Sequence, residues 1–280
     1  MLFLLLAIGS SALISILMRL SAEKTSGGVG MLAMNYLMCA ALSAFYAGGS
    51  GSFFPQSASL GQTVGLGAVH GLLMLAGFVL LQVNVRLSGV VLPAIFMKLG
   101  LLIPLVLSIV FFREVPTAAE CVGFCLAVGA IILINLKKDE SSRFGWGLIL
   151  LLLSGGLADA MCKVYEELGD PALSEHFLLY TFIAASVLCI ILTAVKKEWP
   201  GKSEVLFGCI IGVPNFFCSR FLLRALDTMD AVIVYPTFSV ATILVVTLVG
   251  LAAFGERLSR RQWIAVAIIL LALVLLNLPA

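Results

Sequence analysis

One lysine of this sequence lies where a charge is costly, inside a long apolar run. Lys98 is near the middle of the run from Val90 to Phe112. If such a run crosses a bilayer, a charged side chain at that depth usually faces a cavity or a partner group. Lys98 is therefore a candidate cation for the carboxylate or phosphate of a substrate. The alternative is a structural ion pair with a second charge inside the membrane.

An aspartate in a later run is the candidate of opposite charge. Asp159 is the only acidic residue well inside an apolar run, in the segment LLLSGGLADAMCK. Three roles fit it: an ion pair with Lys98 across the bundle, a contact with a substrate amine, or a carrier of a coupling proton. Lys163 lies four residues later on the same helix face, so a local ion pair is the structural alternative.

Two prolines occupy matching places in the two halves of the sequence. Pro93 and Pro236 each lie a short way into an apolar run, where proline removes one backbone donor and frees a carbonyl. Paired interruptions of this kind point to the binding site of a transporter. Tyr235 would add a hydroxyl to the same region. The alternative is that the prolines only kink the helices.

Two arginines share a face near the end of the eighth run. Arg220 is the deeper of the two arginines, and Asn215 lies about one turn before it. We treat Arg220 and Asn215 as candidate substrate contacts. Arg224 is expected to pair with Asp227 or Asp230 in the following connection, as a solvated surface group.

The remaining chemistry-bearing residues argue against catalysis and against cofactors. No Ser/His/Asp arrangement, P-loop or HExxH motif is present, so we expect no enzyme activity. The seven cysteines all fall in apolar runs, where cysteine packs as a small hydrophobe, so no metal site is expected. A net charge of +2 with scattered cations excludes a nucleic-acid surface.

The elements that must position these residues are membrane helices. With 61% hydrophobic and 11% charged residues, and a mean hydropathy of +1.15, the chain needs a lipid bilayer as its solvent. Backbone groups in lipid must pair within their own segment, which favours helices. The apolar runs are Leu2–Met18, Val29–Gly48, Gln62–Val83, Val90–Phe112, Ala119–Leu136, Phe144–Cys162, Phe177–Val195, Val205–Leu223, Ala231–Phe254 and Gln262–Leu278.

An internal repeat divides these ten runs into two halves, 1–140 and 141–280. The segments VVLPAIF, FFREVPT and AIILINL of the first half recur in order as VIVYPTF, AFGERLS and LVLLNL. The matched residues are Pro93 with Pro236, Glu114 with Glu256, and Asn135 with Asn277. Because each half has an odd number of helices, the second half enters the membrane from the opposite side. The sequence thus predicts two inverted five-helix repeats around a central cavity, a design typical of transporters.

The end of each repeat resembles a known family. Phe254 to Asn277, FGERLSRRQWIAVAIILLALVLLN, is similar to the closing segment of each half in the EamA-like branch of the drug/metabolite transporter superfamily. Phe112 to Asn135 is a weaker copy. The resemblance implies a ten-helix fold in which helices one, three, four, six, eight and nine surround the cavity, with the fifth and tenth outside it.

We therefore expect a secondary transporter that moves a small polar metabolite, an amino acid or an organic anion, by alternating access. Its partners would be the substrate, the lipid bilayer, and a coupling proton or counter-substrate. One alternative is a proton-coupled cation or drug exporter that uses Asp159; Lys98 in the same cavity argues against it. Another is a lipid-handling or scaffold subunit, which does not need deep central charges.

The expected location is the inner membrane of a bacterium, with several spans, but two arguments disagree on its orientation. The connections after odd-numbered runs hold twelve cations, and the opposite face holds Arg113, Lys163, Arg220 and Arg224. The positive-inside rule then places both termini outside the cytoplasm. The family resemblance implies both termini inside.

Overall fold

The chain folds as a bundle of α-helices in the computed structural model, which describes residues 1–25, 28–48, 53–100, 103, 118–135, 142–226, 228–229, 231–256 and 258–275. A 3₁₀ turn at Pro171–Leu173 precedes the seventh helix. The helices are α1 Leu2–Lys24, α2 Val29–Gly48, α3 Leu60–Ser88, α4 Val91–Leu99, α5 Ala118–Asn135, α6 Ser142–Leu168, α7 Ser174–Lys196, α8 Lys202–Leu226, α9 Ala231–Ala253 and α10 Arg260–Leu275.

Length and surface both identify the bundle as a membrane protein. In the described part of the chain, five segments are long and apolar enough to cross a bilayer: Leu2–Lys24, Val29–Gly48, Leu60–Ser88, Pro171–Lys196 and Lys202–Ala225. Large apolar side chains such as Leu5, Val195 and Leu248 are more than 60% exposed, as expected of helix faces that contact lipid. The all-α membrane class predicted from the sequence is confirmed.

Glycine residues allow helices α3 and α7 to pack closely against each other. Gly67 and Gly71 of α3 lie directly against the backbone of α7, where a methyl group at Gly71 would collide with the carbonyl oxygen of Thr181 and lie 3.1 Å from the Ala184 Cβ. Small residues at helix contacts are typical of membrane bundles, because packing drives association there. Gly67 and Gly71 therefore have a structural role at this contact.

Gly71→Ala is expected to destabilise the protein, because the added methyl group overpacks the contact between α3 and α7. Such overpacking costs about 1–3 kcal/mol. The matched control is Gly65→Ala on the same helix, where an added Cβ meets nothing within 4 Å. Thermal unfolding in detergent should show a lower melting temperature for Gly71→Ala alone. Equal melting temperatures for the two variants would contradict this account of the contact.

The end of the bundle that carries Arg19, Thr25, Arg86 and Glu256 is called here the Arg19 end. Arg86 Nη2 donates to the Thr25 carbonyl oxygen at 2.9 Å, which joins the ends of α3 and α1. Arg19 Nε lies 3.8 Å from Glu256 Oε1, which joins α1 to the segment after α9. Trp146, Trp199 and Trp263 lie near this end and are 47–69% exposed, as in an interfacial aromatic belt.

The opposite end, called the Glu175 end, carries Gln62, Leu168 and Glu175. Gln62 Nε2 donates to the Leu168 carbonyl oxygen at 3.1 Å, so α3 begins where α6 finishes. The amino group of Met1 contacts Met229 Sδ at 3.3 Å, so α1 also begins at this end. The helices α1 and α6 therefore run in opposite directions.

Helix contacts follow a regular scheme. α1 packs on α8 and α9, while α6 packs on α3 and α4. α7 contacts both α2 and α3, and α2 also contacts α8. α4 and α9 contact each other near the centre, and α5 packs on α10 away from it. This arrangement leaves a space between α1, α3, α4, α6, α8 and α9.

Candidate functional site

A cavity of about 140 Å³ lies between these six helices. α7 adds Leu178 to its wall. The six helices are those that the family resemblance places around a central cavity. The polar residues of the wall are Ser11, Ser15, His70, Lys98, Ser154, Asp159, Asn215, Ser219 and Thr242. The volume is below the range of about 300–1,000 Å³ found for drug-sized ligands, and it suits a small solute in this conformation.

Lys98 lies in the cavity wall on the last turn of α4. The helix ends at Leu99, and the N–H of the next residue, Gly100, bonds back to the carbonyl oxygens of Met97 and Lys98. The Lys98 Nζ lies 3.7 Å from the centroid of the Phe238 ring on α9, a cation–π contact. The ammonium group is thus held against an aromatic face inside the cavity.

Asp159 lies across the same cavity on α6. A close crossing sets its distance from α4: a methyl group at Gly100 would lie 2.5 Å from the backbone nitrogen of Gly156. Among the side chains that the structure describes, no ion pair of 4.0 Å or less joins Lys98 to Asp159. The two opposite charges therefore share one cavity without direct contact. The side chain of Lys163, the alternative partner, lies outside the described part of the structure.

Asn215 brings an amide group to the cavity from α8. It follows Pro214, which lies inside that helix and cannot donate the usual backbone hydrogen bond. The Asn215 Nδ2 donates to Asn35 Oδ1 of α2 at 3.4 Å, and both side chains are buried. The predicted candidate Asn215 thus lines the cavity while one of its donors points toward a neighbouring helix.

Arg220 does not line the cavity; it forms an ion pair at the Glu175 end. Its Nη2 lies 2.9 Å from Glu175 Oε1, and its Nε donates to the same oxygen at 3.0 Å. The guanidinium carbon lies 3.8 Å from the centroid of the Tyr46 ring. Arg224 contacts the same Glu175 Oε1 at 3.7 Å. Glu175 is the described partner of both arginines, whereas Asp227 and Asp230, the partners predicted for Arg224, lie outside the described residues.

The two prolines have different outcomes. Pro93 is buried in the first turn of α4, one residue before Ala94, the first of the cavity-wall residues of this helix, which also include Met97 and Lys98. Pro236 and Tyr235 belong to α9 by their backbone, and their side chains lie outside the described part of the structure. Whether these three residues contact a substrate stays a prediction.

Several wall residues were not singled out from the sequence. His70 is one of them: its ring nitrogens lie 3.5 Å from Cys162 Sγ and 3.4 Å from Thr181 Oγ1, and the ring also faces the cavity. Ser11 and Ser15 of α1 also line the cavity. Their spacing of four residues, visible in the sequence, places the two hydroxyl groups on one face of the helix.

Thr242 of α9 is the least expected member of the wall. Its side chain is 1% exposed, and its hydroxyl has no hydrogen-bond partner among the described atoms. It lies one helical turn after Phe238, on the face that holds the Lys98 ammonium group. A buried hydroxyl without a partner is costly unless a ligand or water satisfies it.

Comparison with known proteins identifies the second half most clearly. Residues 145–278 match the model of the EamA-like transporter family. An uncharacterised protein of Haemophilus influenzae is 24% identical over 272 residues, which covers 94% of this chain and 93% of that protein. The uncharacterised inner membrane transporter YedA of Escherichia coli K12 is 26% identical over 170 residues, 57% of this chain and 53% of that protein.

The fold also has a counterpart among solved structures. One crystal structure of a protein superposes with a TM-score of 0.63 over 98% of this chain and 94% of that chain. Their sequences are 15% identical, so the likeness concerns the fold. The resemblance drawn from the closing segment at Phe254 to Asn277 is confirmed by the family match, which contains that segment.

Proposed function

Because residues 145–278 match the EamA-like transporter family, we propose that the chain is a membrane transporter of this family. Its substrate would be a small polar metabolite with an anionic group, such as an amino acid or organic acid. The observation that carries the proposal is the Lys98 ammonium group in the central cavity. It contacts an aromatic ring and no described carboxylate within 4.0 Å. A substrate anion would give this ammonium group the direct contact with an opposite charge that Asp159, across the cavity, does not make, and the Thr242 hydroxyl would donate to that anion.

The architecture in this proposal is ten membrane helices in two inverted halves, 1–140 and 141–280. The helix contacts support it. Each helix of one half is equivalent to the helix five places away in the other half. When equivalent helices are exchanged, the α1–α8 contact corresponds to α6–α3, the α1–α9 contact to α6–α4, and the α2–α8 contact to α7–α3, and all of these pairs are in contact. The opposite directions of α1 and α6 also fit inversion. Two equivalent halves can exchange conformations, which is the basis of alternating access.

Location and coupling complete the proposal. YedA is named as an inner membrane transporter, and we place this chain in the same bacterial membrane. Asp159 offers a second charge in the cavity, either for a substrate amine or for a coupling proton. A proton-coupled exporter of cations would use Asp159 in the same way, but a fixed ammonium group in its cavity would repel its substrate. A scaffold or lipid-handling role gives neither charge a function.

A ligand screen tests the substrate class. We expect carboxylate-bearing metabolites to raise the melting temperature of the purified protein, because a ligand at about 100 times its Kd adds about 2.7 kcal/mol to the stability of the folded state. The increase should be lost in Lys98→Ala and kept in Lys24→Ala, a matched control with an exposed lysine at the end of α1.

Two outcomes would contradict the proposal. Stabilisation by organic cations that depends on Asp159 and not on Lys98 would favour the cation exporter. Stabilisation by carboxylates that survives in Lys98→Ala would place the anion contact elsewhere.

A further inference from the structure

The start of α4 is held by a residue from the other half of the chain. Val90 is the N-cap residue of this helix, and its side chain cannot accept a hydrogen bond. Glu256, beyond the end of α9, supplies the cap instead: its Oε1 accepts from the Val90 N–H at 2.6 Å and its Oε2 from the Val91 N–H at 3.3 Å. A carboxylate there satisfies free N–H groups and complements the positive end of the helix dipole.

The backbone around Glu256 leaves room for its carboxylate at the start of α4. Gly89 has φ +78°, a conformation that favours glycine, and a Cβ there would collide with the Glu256 carboxylate. Gly250 of α9 also lies close to α4, since an added Cβ there would lie 2.5 Å from Val91 Cγ2. The Glu256 N–H also bonds the Gly250 carbonyl oxygen at 3.1 Å, so the end of α9 fixes the direction of the glutamate.

This contact lies between the cavity and the Arg19 end. On α9 the cavity wall finishes at Thr242, and Val246 beyond it is 0% exposed. Val90 and Val91 of α4 are also 0% exposed. Outside this apolar layer, Arg19 Nε lies 3.8 Å from Glu256 Oε1. The junction of α4 with α9 is thus closed by packed valines and clamped by one carboxylate.

We infer that Glu256 is a positioning residue that fixes the start of α4, and with it Lys98, and holds the cavity closed at the Arg19 end. Lys98 lies eight residues after Val90 on a rigid helix, so the cap sets the depth of its ammonium group. Opening toward the Arg19 end requires the two hydrogen bonds to the Val90 and Val91 N–H groups to break. The role in transport rests on the proposed alternating access, but the closure itself can be measured without any substrate.

The experiment uses a native cysteine of the cavity wall as the reporter. Cys218 lines the cavity. A variant that keeps Cys218 as its only cysteine is reconstituted in vesicles with either end of the bundle facing outward, and the vesicles are treated with a membrane-impermeant maleimide. Ser203→Cys in a cysteine-free chain, at an exposed position at the start of α8, marks the vesicles that present the Arg19 end. In those vesicles, Glu256→Ala should accelerate labelling of Cys218 about tenfold or more. A tenfold increase corresponds to a loss of about 1.4 kcal/mol in the free energy that favours the closed over the open conformation.

Control variants separate the cap from general damage. Glu23→Ala removes the exposed carboxylate 3.5 Å from Arg19 and leaves the cap of α4, so its labelling rate should equal that of the parent. Glu256→Gln keeps one acceptor oxygen, so its labelling rate should be intermediate. Unchanged labelling of well-folded Glu256→Ala would overturn the inference.

Loss of folded protein in both Glu256 variants would also overturn it, because Glu256 would then act only on stability. Failure of the proposed substrate class would leave the labelling result untouched and would be visible only in the ligand screen.

Discussion

Lys98→Ala abolishes transport while leaving the yield of folded protein nearly intact: this is the result expected if the Lys98 ammonium group meets a substrate anion. Truncating one partner of a buried charge pair costs about 2–5 kcal/mol, which lowers uptake roughly 30-fold or more at subsaturating substrate. Stability is spared because the partner is mobile substrate or cavity water, and none of the described carboxylates lies within 4.0 Å of the amine. Uptake into proteoliposomes of a compound found by the screen measures the loss.

Two further variants define what Lys98 contributes. Lys98→Arg should retain transport only if a point charge suffices, because the planar guanidinium group is bulkier and directs its donors differently. If Lys98 instead stabilises Asp159 in the fold, Lys98→Ala lowers the yield and the double variant with Asp159→Ala restores it. Restoration of both yield and transport in that double variant would exclude Lys98 as a substrate contact, since neither charge would be needed for recognition.

The helices could be predicted from the sequence because the bilayer leaves few alternatives. Each apolar run must satisfy its own backbone, so the observed helix α2, Val29–Gly48, has the bounds of its run. Lys98 and Asp159 could be found for a related reason. A charge deep in such a run needs polar surroundings, and a central cavity provides them for both residues.

Polar residues with a partner far along the chain could not be assigned in this way. Arg220 has the same type and depth as a substrate contact, but its partner Glu175 is 45 residues earlier and is brought to it only by the fold, in which α7 and α8 both pack on α2. Glu256 stands in a recognised family segment, yet Val90, the N-cap residue of the helix that it caps, lies 166 residues before it. Ser15 and Thr242 look like ordinary helix-packing residues, because a hydroxyl in an apolar run can serve either purpose.

Arg220→Ala is expected to lower the stability of the fold rather than substrate affinity. The ion pair with Glu175 is partly buried, with 16% and 26% of the two side chains exposed, and it joins α7 to α8 beside the ring of Tyr46. Hydrogen bonds to charged groups contribute about 1.5–3 kcal/mol, and the partial exposure places the cost toward the lower end of that range. The melting temperature in detergent should fall, while the Kd of a screen ligand for the remaining folded protein should stay the same.

Arg224→Ala is the matched control on the same helix. Arg224 is 47% exposed and lies 3.7 Å from the same Glu175 oxygen, so solvent screens its charge and its loss should change the melting temperature much less. Glu175→Ala should reproduce the defect of Arg220→Ala, because either change leaves one partly buried charge without its partner, and the double variant should be less unstable than the sum of the two. A stable Arg220→Ala protein with weakened ligand binding would instead make Arg220 the second anion contact, reached from the Glu175 end when the cavity opens in that direction.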